Sequence, residues 1–85
     1  MILKVLKGTE CCISSKHAGT LGPISDPYAK TEFKREAIVK IDESLEEYDN
    51  LSPVTVTIGD ISSLAGDNTV QTIVWVEAKD LIKIN

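Results

Sequence analysis

Residues 26–50 read DPYAKTEFKREAIVKIDESLEEYDN, the longest stretch of the chain with one consistent periodicity. Asp26 can serve as an N-cap, and Pro27 is tolerated at the first helical position because its missing N–H would have had no intrahelical partner. Ser52 precedes Pro53 and is therefore pushed out of the α region, which ends the pattern near Asn50. The stretch predicts one long helix from Asp26 to Asn50. Its apolar stripe, at steps of three to five, consists of Ala29, Phe33, Ala37, Ile38, Ile41, Leu45 and Tyr48.

A second interpretation of the same stretch stays open. The run Ala37–Ile41 contains β-branched residues, which are typical of strands, and Val39 fits the helix least well. In that case Ala37–Ile41 forms a strand, and a separate short helix covers Ser44–Tyr48.

The rest of the chain favours strands. Apolar alternation or short apolar runs predict strands at Ile2–Lys7, Glu10–Ser14, Val54–Ile58, Val70–Glu77 and Leu81–Ile84. Small polar residues and glycines predict a loop over Ser15–Ser25, and Asp60–Ala65 could form one helical turn. The run Ile73–Val76 is apolar at every position, which indicates a central strand with Trp75 in the core. The order β(β)αβββ predicts an α+β fold: a mostly antiparallel sheet of four to five strands with one long helix packed on one face.

Length and apolar content bound the class of protein. The 85 residues predict one domain, residues 1–85. Such a chain buries only about 60% of its unfolded surface, so we expect its thin core to be supported by a partner or by a second copy in a homodimer. No apolar run approaches the roughly 20 residues of a membrane span. Residues 1–7, MILKVLK, lack the cleavage region of a signal peptide, and we expect a cytoplasmic protein.

The net charge of −4 is unevenly distributed. Residues 1–40 carry seven basic and four acidic side chains, a net charge of +3, whereas residues 41–85 carry two basic and nine acidic side chains, a net charge of −7. Direct nucleic-acid binding needs an extended basic surface, so this distribution argues against it.

Five acidic residues and a tyrosine cluster at the end of the predicted helix: Asp42, Glu43, Glu46, Glu47, Tyr48 and Asp49. The carboxyl end of a helix is the negative end of its dipole, and the i,i+4 pairs here are like-charged, so each acid would cost a few tenths of a kcal/mol. Such a cluster does not serve helix stability. It is either a solvated surface or an electrostatic docking site for a basic partner protein, including a nucleic-acid-binding one, with Tyr48 as an aromatic anchor.

One further cluster could carry chemistry. Cys12 and His17 form a C-x4-H pair with Cys11 alongside. A structural zinc site needs four ligands, so a carboxylate such as Glu10 or Asp26 would have to complete it. A Cys–His dyad would need a thiolate stabilised by the imidazolium. The simpler interpretation is that one or both cysteines are free thiols that act as small buried or half-buried apolar side chains in a reducing compartment, with an exposed histidine in the loop.

No phosphate-binding motif is present in the sequence, because neither G-x4-G-K-[ST] nor G-x-G-x-x-G occurs. We therefore expect a non-enzymatic protein-interaction module without a cofactor. It would be a small cytosolic inhibitor or adaptor of the kind that viruses and mobile elements encode. The alternative is a small thiol- or metal-dependent site at Cys11, Cys12 and His17.

Overall fold

Strands and short turns, but no α-helix, make up the part of the chain that the computed structural model describes: residues 2–17, 20–23, 30–62, 64, 66 and 69–84. Of residues 15–17, 20 and 21 it describes the backbone alone. The strands are β1 (Ile2–Val5), β2 (Glu10–His17), β3 (Thr20–Pro23), β4 (Lys30–Glu32), β5 (Ala37–Ile41), β6 (Leu51–Thr57), β7 (Gln71–Glu77) and β8 (Ile82–Lys83). Short 3-10 turns, Ile58–Asp60 and Ala78–Asp80, follow β6 and β7.

The predicted helix from Asp26 to Asn50 is wrong, and with it the α+β fold class. Its middle forms β4 and β5, and residues 42–50 form turns; residues 26–29 lie outside the described part of the chain. In β5, Ala37 and Val39 are buried whereas Ile38 and Lys40 are exposed, which is strand alternation. The alternative strand at Ala37–Ile41 is therefore confirmed, but the short helix that accompanied it does not form.

The described strands make one antiparallel sheet in the order β3-β2-β7-β6-β5-β1-β8, with β4 also paired to β2. Pairing with two neighbours explains β5: residues 37–40 are in register with β1, and Lys40 and Ile41 are in register with β6. Backbone hydrogen bonds to these neighbours take the place of the helical ones. The protein is thus nearly all antiparallel sheet.

One face of this sheet carries the main core. Its buried residues come from β1, β2, β5, β6 and β7, and from the segments after β4 and β6: Leu3, Val5, Cys11, Phe33, Ala37, Val39, Val54, Val56, Ile61, Val74 and Val76. Phe33 pairs with Ile61 in an isolated bridge and exchanges backbone hydrogen bonds with the β1–β2 turn, donating to Thr9 and accepting from Gly8. Gly8 has φ of +86°, a conformation that glycine adopts at low cost.

The opposite face holds a second buried group around Trp75. This residue lies between Cys12 of β2 and Pro53 of β6 and is 1% exposed. Its indole N–H donates to Ser14 Oγ at 2.9 Å, so the buried donor is satisfied. The predictions that Trp75 belongs to the core and that its strand is central are confirmed.

The remaining predictions for single elements are confirmed in some cases and wrong in others. The strands at Val54–Ile58 and Val70–Glu77 correspond to β6 and β7. The loop at Ser15–Ser25 is wrong in part, because β2 runs to His17 and pairs with β3. Of the helical turn expected at Asp60–Ala65, residues 60–62 instead end the turn Ile58–Asp60 and form the Ile61 bridge, and residues 63 and 65 lie outside the described part of the chain. Among the described residues, no helix has the length and apolar character to span a membrane.

Candidate functional site: the acidic loop

Residues 42–50, which connect β5 to β6, are called the acidic loop here. Its first residue continues the strand ladder, since the Asp42 N–H donates to the Pro53 carbonyl at 2.9 Å. The Asp42 carboxylate then accepts hydrogen bonds from the hydroxyl and the N–H of Ser44, the latter at 3.0 Å. Such an Asx turn fixes the backbone locally. The Ser44 hydroxyl, followed by its N–H, lowers the pKa of Asp42 and favours its charged form.

The loop ends in a tight two-residue turn. Tyr48 and Leu51 exchange both backbone hydrogen bonds, at 3.0 and 2.8 Å, and Asp49 and Asn50 between them have φ of 49° and 68°. Two central residues with positive φ are the mark of a type I′ turn, whose twist matches that of the flanking strands. In the sequence, the Asp49-Asn50 dipeptide is the feature that indicates this turn, because Asp and Asn tolerate a positive φ better than other residues with a side chain do.

A further contact ties this end of the loop to the rest of the protein. The Ala78 N–H donates to the Asn50 carbonyl at 3.0 Å, beside a shallow depression lined by Asn50, Glu77, Ala78 and Lys79. Lys79 pairs with its neighbour Glu77 at 3.6 Å rather than with the loop. The acidic loop is therefore held at its start and at its closing turn, and the residue that follows β7 binds the last residue of the loop.

All six residues singled out from the sequence lie in this loop. Glu43, Glu46, Glu47, Tyr48 and Asp49 are exposed, with Tyr48 at 59%, and Asp42 is half-buried. They do not end a helix, so the dipole and i,i+4 costs expected from the sequence do not apply. The structure brings the predicted residues together, but on a loop.

The acids of the loop divide into two groups. Asp42 and Asp49 shape its turns, and Glu47 accepts a long hydrogen bond, 3.4 Å, from the hydroxyl of the buried Ser52. Glu43 and Glu46 make neither a hydrogen bond nor an ion pair with any described residue. The ion pairs of the described chain, Lys4–Glu36, Arg35–Asp60 and Lys79–Glu77, leave the acidic loop untouched. Its negative charge is therefore not neutralised within the part of the chain that is described.

The cysteine and histidine cluster is not assembled in the described residues. Cys11 pairs with Val76 on the main core face, whereas Cys12 pairs with Trp75 on the opposite face, so the two thiols point away from each other. The side chain of His17, and Asp26, lie outside what is described. No group of three or more His, Cys, Asp or Glu side chains in the described ranges could hold a metal ion.

The thiol of Cys11 also lacks the properties of a nucleophile. Burial above all, followed by the nearby Cys12 and Glu32, raises its pKa to about 12. A nucleophilic cysteine needs a thiolate, and at neutral pH Cys11 is a neutral thiol.

Comparisons with protein-family models, with curated proteins and with solved structures found no match for this chain.

Proposed function

We propose that the protein is a non-enzymatic binding module that docks its acidic loop on a basic surface of a partner protein. The observation that carries the proposal is the combination of Glu43, Glu46 and Tyr48. All three side chains are exposed, Glu43 and Glu46 make no ion pair with a described residue, and the loop that bears them is held by hydrogen bonds at both ends.

A fixed loop is a better docking element than a flexible one. Binding orders the groups at an interface, and this ordering costs free energy; a loop already held in one conformation avoids much of that cost. Complementary charges chiefly raise the rate of association and select the partner. Tyrosine is enriched among binding hot spots, where truncation of a desolvated side chain to alanine costs about 2 kcal/mol or more. Glu43 and Glu46 would thus steer, and Tyr48 would anchor.

The partner is proposed to be a basic protein, with a nucleic-acid-binding protein as one natural source of such a surface. In that role the protein acts as a small inhibitor or adaptor in the cytoplasm, and it needs no cofactor.

Affinity capture with matched variants tests the proposal. The tagged wild type and the loop-reversed variant Glu43→Lys/Glu46→Lys are incubated with host lysate at low and high salt, and bound proteins are identified by mass spectrometry. The control is Glu10→Lys/Glu32→Lys, which changes the net charge by the same amount at an exposed cross-strand pair outside the loop.

We expect one partner that the wild type and the control retain at low salt, and that the loop-reversed variant loses. High salt should weaken the same complex, because screening acts on exposed charges. With the purified partner, Tyr48→Ala should then reduce affinity about tenfold or more, which corresponds to 1.4 kcal/mol. Equal binding by the wild type and the loop-reversed variant would overturn the proposal.

A further inference from the structure

A second exposed surface lies on the outer side of β8, β1 and β5, and we call it the basic-aliphatic face. It consists of Ile2, Lys4, Ile38, Lys40, Ile82 and Ile84. The strand register brings them together: Ile2 is opposite Lys40, and Lys4 is opposite both Ile38 and Ile82. The Ile84 N–H donates to the Ile2 carbonyl, which places it at the end of the same row. Directly opposed residues share one face of a sheet, so these side chains form one patch.

Four of the six side chains of this face are isoleucines. Ile38 is 62% and Ile2 is 56% exposed, and Ile82 and Ile84 are exposed as well. Single exposed apolar residues are ordinary, but contiguous ones generally mark a surface that another molecule covers. The residues alternating with them, such as Leu3 and Val39, already fill the core, so the isoleucines cannot turn inward.

The charge of this face identifies the chemistry of its occupant. Its two charged members are Lys4 and Lys40. The Lys4 Nζ forms an ion pair with Glu36 Oε1 at 3.4 Å. An occupant must therefore offer acidic and apolar groups together. The acidic loop does so, because it carries the exposed acids Glu43 and Glu46 and the exposed Tyr48.

The two complementary surfaces are also contiguous on one molecule. Asp42, the first acid of the loop, follows Lys40 by two residues and continues the same ladder through its hydrogen bond to Pro53. A closed two-fold contact needs a self-complementary surface, in which one residue contacts a second and the second contacts the first in return. A basic-aliphatic face that borders an acidic loop meets this requirement.

We propose that two copies of this chain associate about a two-fold axis, each placing its acidic loop on the basic-aliphatic face of the other. The inference rests on the proposed function in one respect, the use of the acidic loop as a docking surface. It adds that the basic-aliphatic face of the second copy competes with the external partner for the acidic loop. The dimer must therefore dissociate before the partner binds.

Simple pairing of two β8 edges does not explain the patch. β8 has only two residues, Ile82–Lys83, and a ladder of that length supplies few hydrogen bonds. Edge pairing would also leave Ile2 and Ile38, on the broad face, uncovered.

A charge-swap experiment tests the dimer. Sedimentation velocity is run from micromolar to several hundred micromolar protein on the wild type, on the face-reversed variant Lys4→Glu/Lys40→Glu and on the loop-reversed variant Glu43→Lys/Glu46→Lys. We expect a concentration-dependent dimer for the wild type, and an association constant lowered about tenfold or more for each variant alone. An equimolar mixture of the two variants should form a dimer again, because opposite charges then face each other in both contacts.

Two controls separate charge from folding. Glu10→Lys/Glu32→Lys should dimerise like the wild type, and Ile38→Ser, a change at an exposed position, should weaken the dimer without altering the circular dichroism spectrum. Failure of the mixture to dimerise, or undiminished dimerisation of the face-reversed variant, would overturn the inference. Oligomers that grow without limit would overturn the closed two-fold arrangement. A monomeric wild type that sediments with phosphatidylserine vesicles would assign the face to lipid instead.

The same variants keep the two proposals apart. The face-reversed variant should retain the external partner, and bind it more tightly than the wild type does, since it lacks the competing contact. The loop-reversed variant should lose both partner and dimer. A monomeric wild type that still captures its partner through the loop would reject the dimer alone.

Discussion

At the scale of single residues, the adjacent cysteines show how strand alternation decides chemistry. Cys11 is 2% exposed and faces the main core, while Cys12 packs beside Trp75 on the other side of the sheet. Both thiols are free, in agreement with the simpler interpretation of the sequence, and they face opposite ways because consecutive side chains alternate along a strand. Which thiol enters which core depends on the register of β2 with β7, and that register is not encoded in the two residues themselves.

Cys11 should resist alkylation in the folded protein. In a Cys12→Ala variant, where Cys11 is the sole thiol, iodoacetamide at mildly alkaline pH should label the native protein far more slowly than the denatured one. The reason is that burial raises the pKa of Cys11 to about 12, so the thiolate is scarce and inaccessible. Intact mass spectrometry against time measures the labelling. Native labelling at the rate of the denatured control would contradict the buried position.

The raised pKa of Cys11 also sets a pH dependence. The unfolded chain ionises this thiol near its ordinary value of 9.0, whereas the folded protein keeps the proton up to about 12. The contribution to stability is therefore present below pH 9 and is lost as the pH rises toward 12. Cys11→Ala should make the unfolding free energy fall less steeply over that alkaline range.

At the scale of secondary-structure elements, residues 42–51 form a loop and a tight turn that the sequence analysis did not predict. The acids of the loop suggested a helix end, yet the Asp49-Asn50 dipeptide forms the tight turn between Tyr48 and Leu51 that leads into β6. Local residues carried this signal. It was hidden because an apolar spacing of three to five residues from Ala29 to Tyr48 also satisfies a helix.

The closing turn should distinguish glycine from a β-branched residue at position 50. Asn50 has φ of 68°, a region that costs an ordinary side chain about 1–2 kcal/mol. Asn50→Val should therefore lower the unfolding free energy by about that amount, and Asn50→Gly should leave it unchanged or raise it. Urea denaturation of the two variants beside the wild type gives the comparison. Equal stability of the valine and glycine variants would be inconsistent with the turn.

At the scale of the whole molecule, long-range pairing holds the sheet together. Phe33 joins segments that are distant in sequence, since its backbone bonds to Gly8 and Thr9 and its bridge partner is Ile61. Arg35 adds a hydrogen bond to the Gly59 carbonyl and an ion pair with Asp60 in the same region. The segment after β4 therefore fastens the β1–β2 turn to the segment after β6.

Truncation of Phe33 should lower the unfolding free energy of the whole domain. Phe33→Ala removes a fully buried ring and should cost about 3–5 kcal/mol. Small domains have a total stability of about 5–15 kcal/mol, so this variant should unfold partly or wholly at moderate temperature. The control Val70→Ala changes an exposed residue and should stay within about 0.5 kcal/mol of the wild type. Thermal unfolding by circular dichroism compares them, and similar melting temperatures would contradict the central position of Phe33.

The sequence by itself determined the features that depend on local pattern. Alternation predicted the strands at Val54–Ile58 and Val70–Glu77, the apolar run around Trp75 predicted a buried central strand, and the acidic cluster was visible as composition. These succeed because alternation and charge are written in neighbouring residues.

Only the tertiary structure decided residues 30–50 and the basic-aliphatic face. A strand gains its hydrogen bonds from other strands, so β5 exists because β1 and β6 lie beside it. Likewise, Ile2, Ile38, Ile82 and Ile84 form one patch because the sheet register joins three separate strands. Helical hydrogen bonds are local and strand hydrogen bonds are not, so the sequence left both a helix and a strand open at residues 37–41, and pairing within the folded sheet decided for the strand.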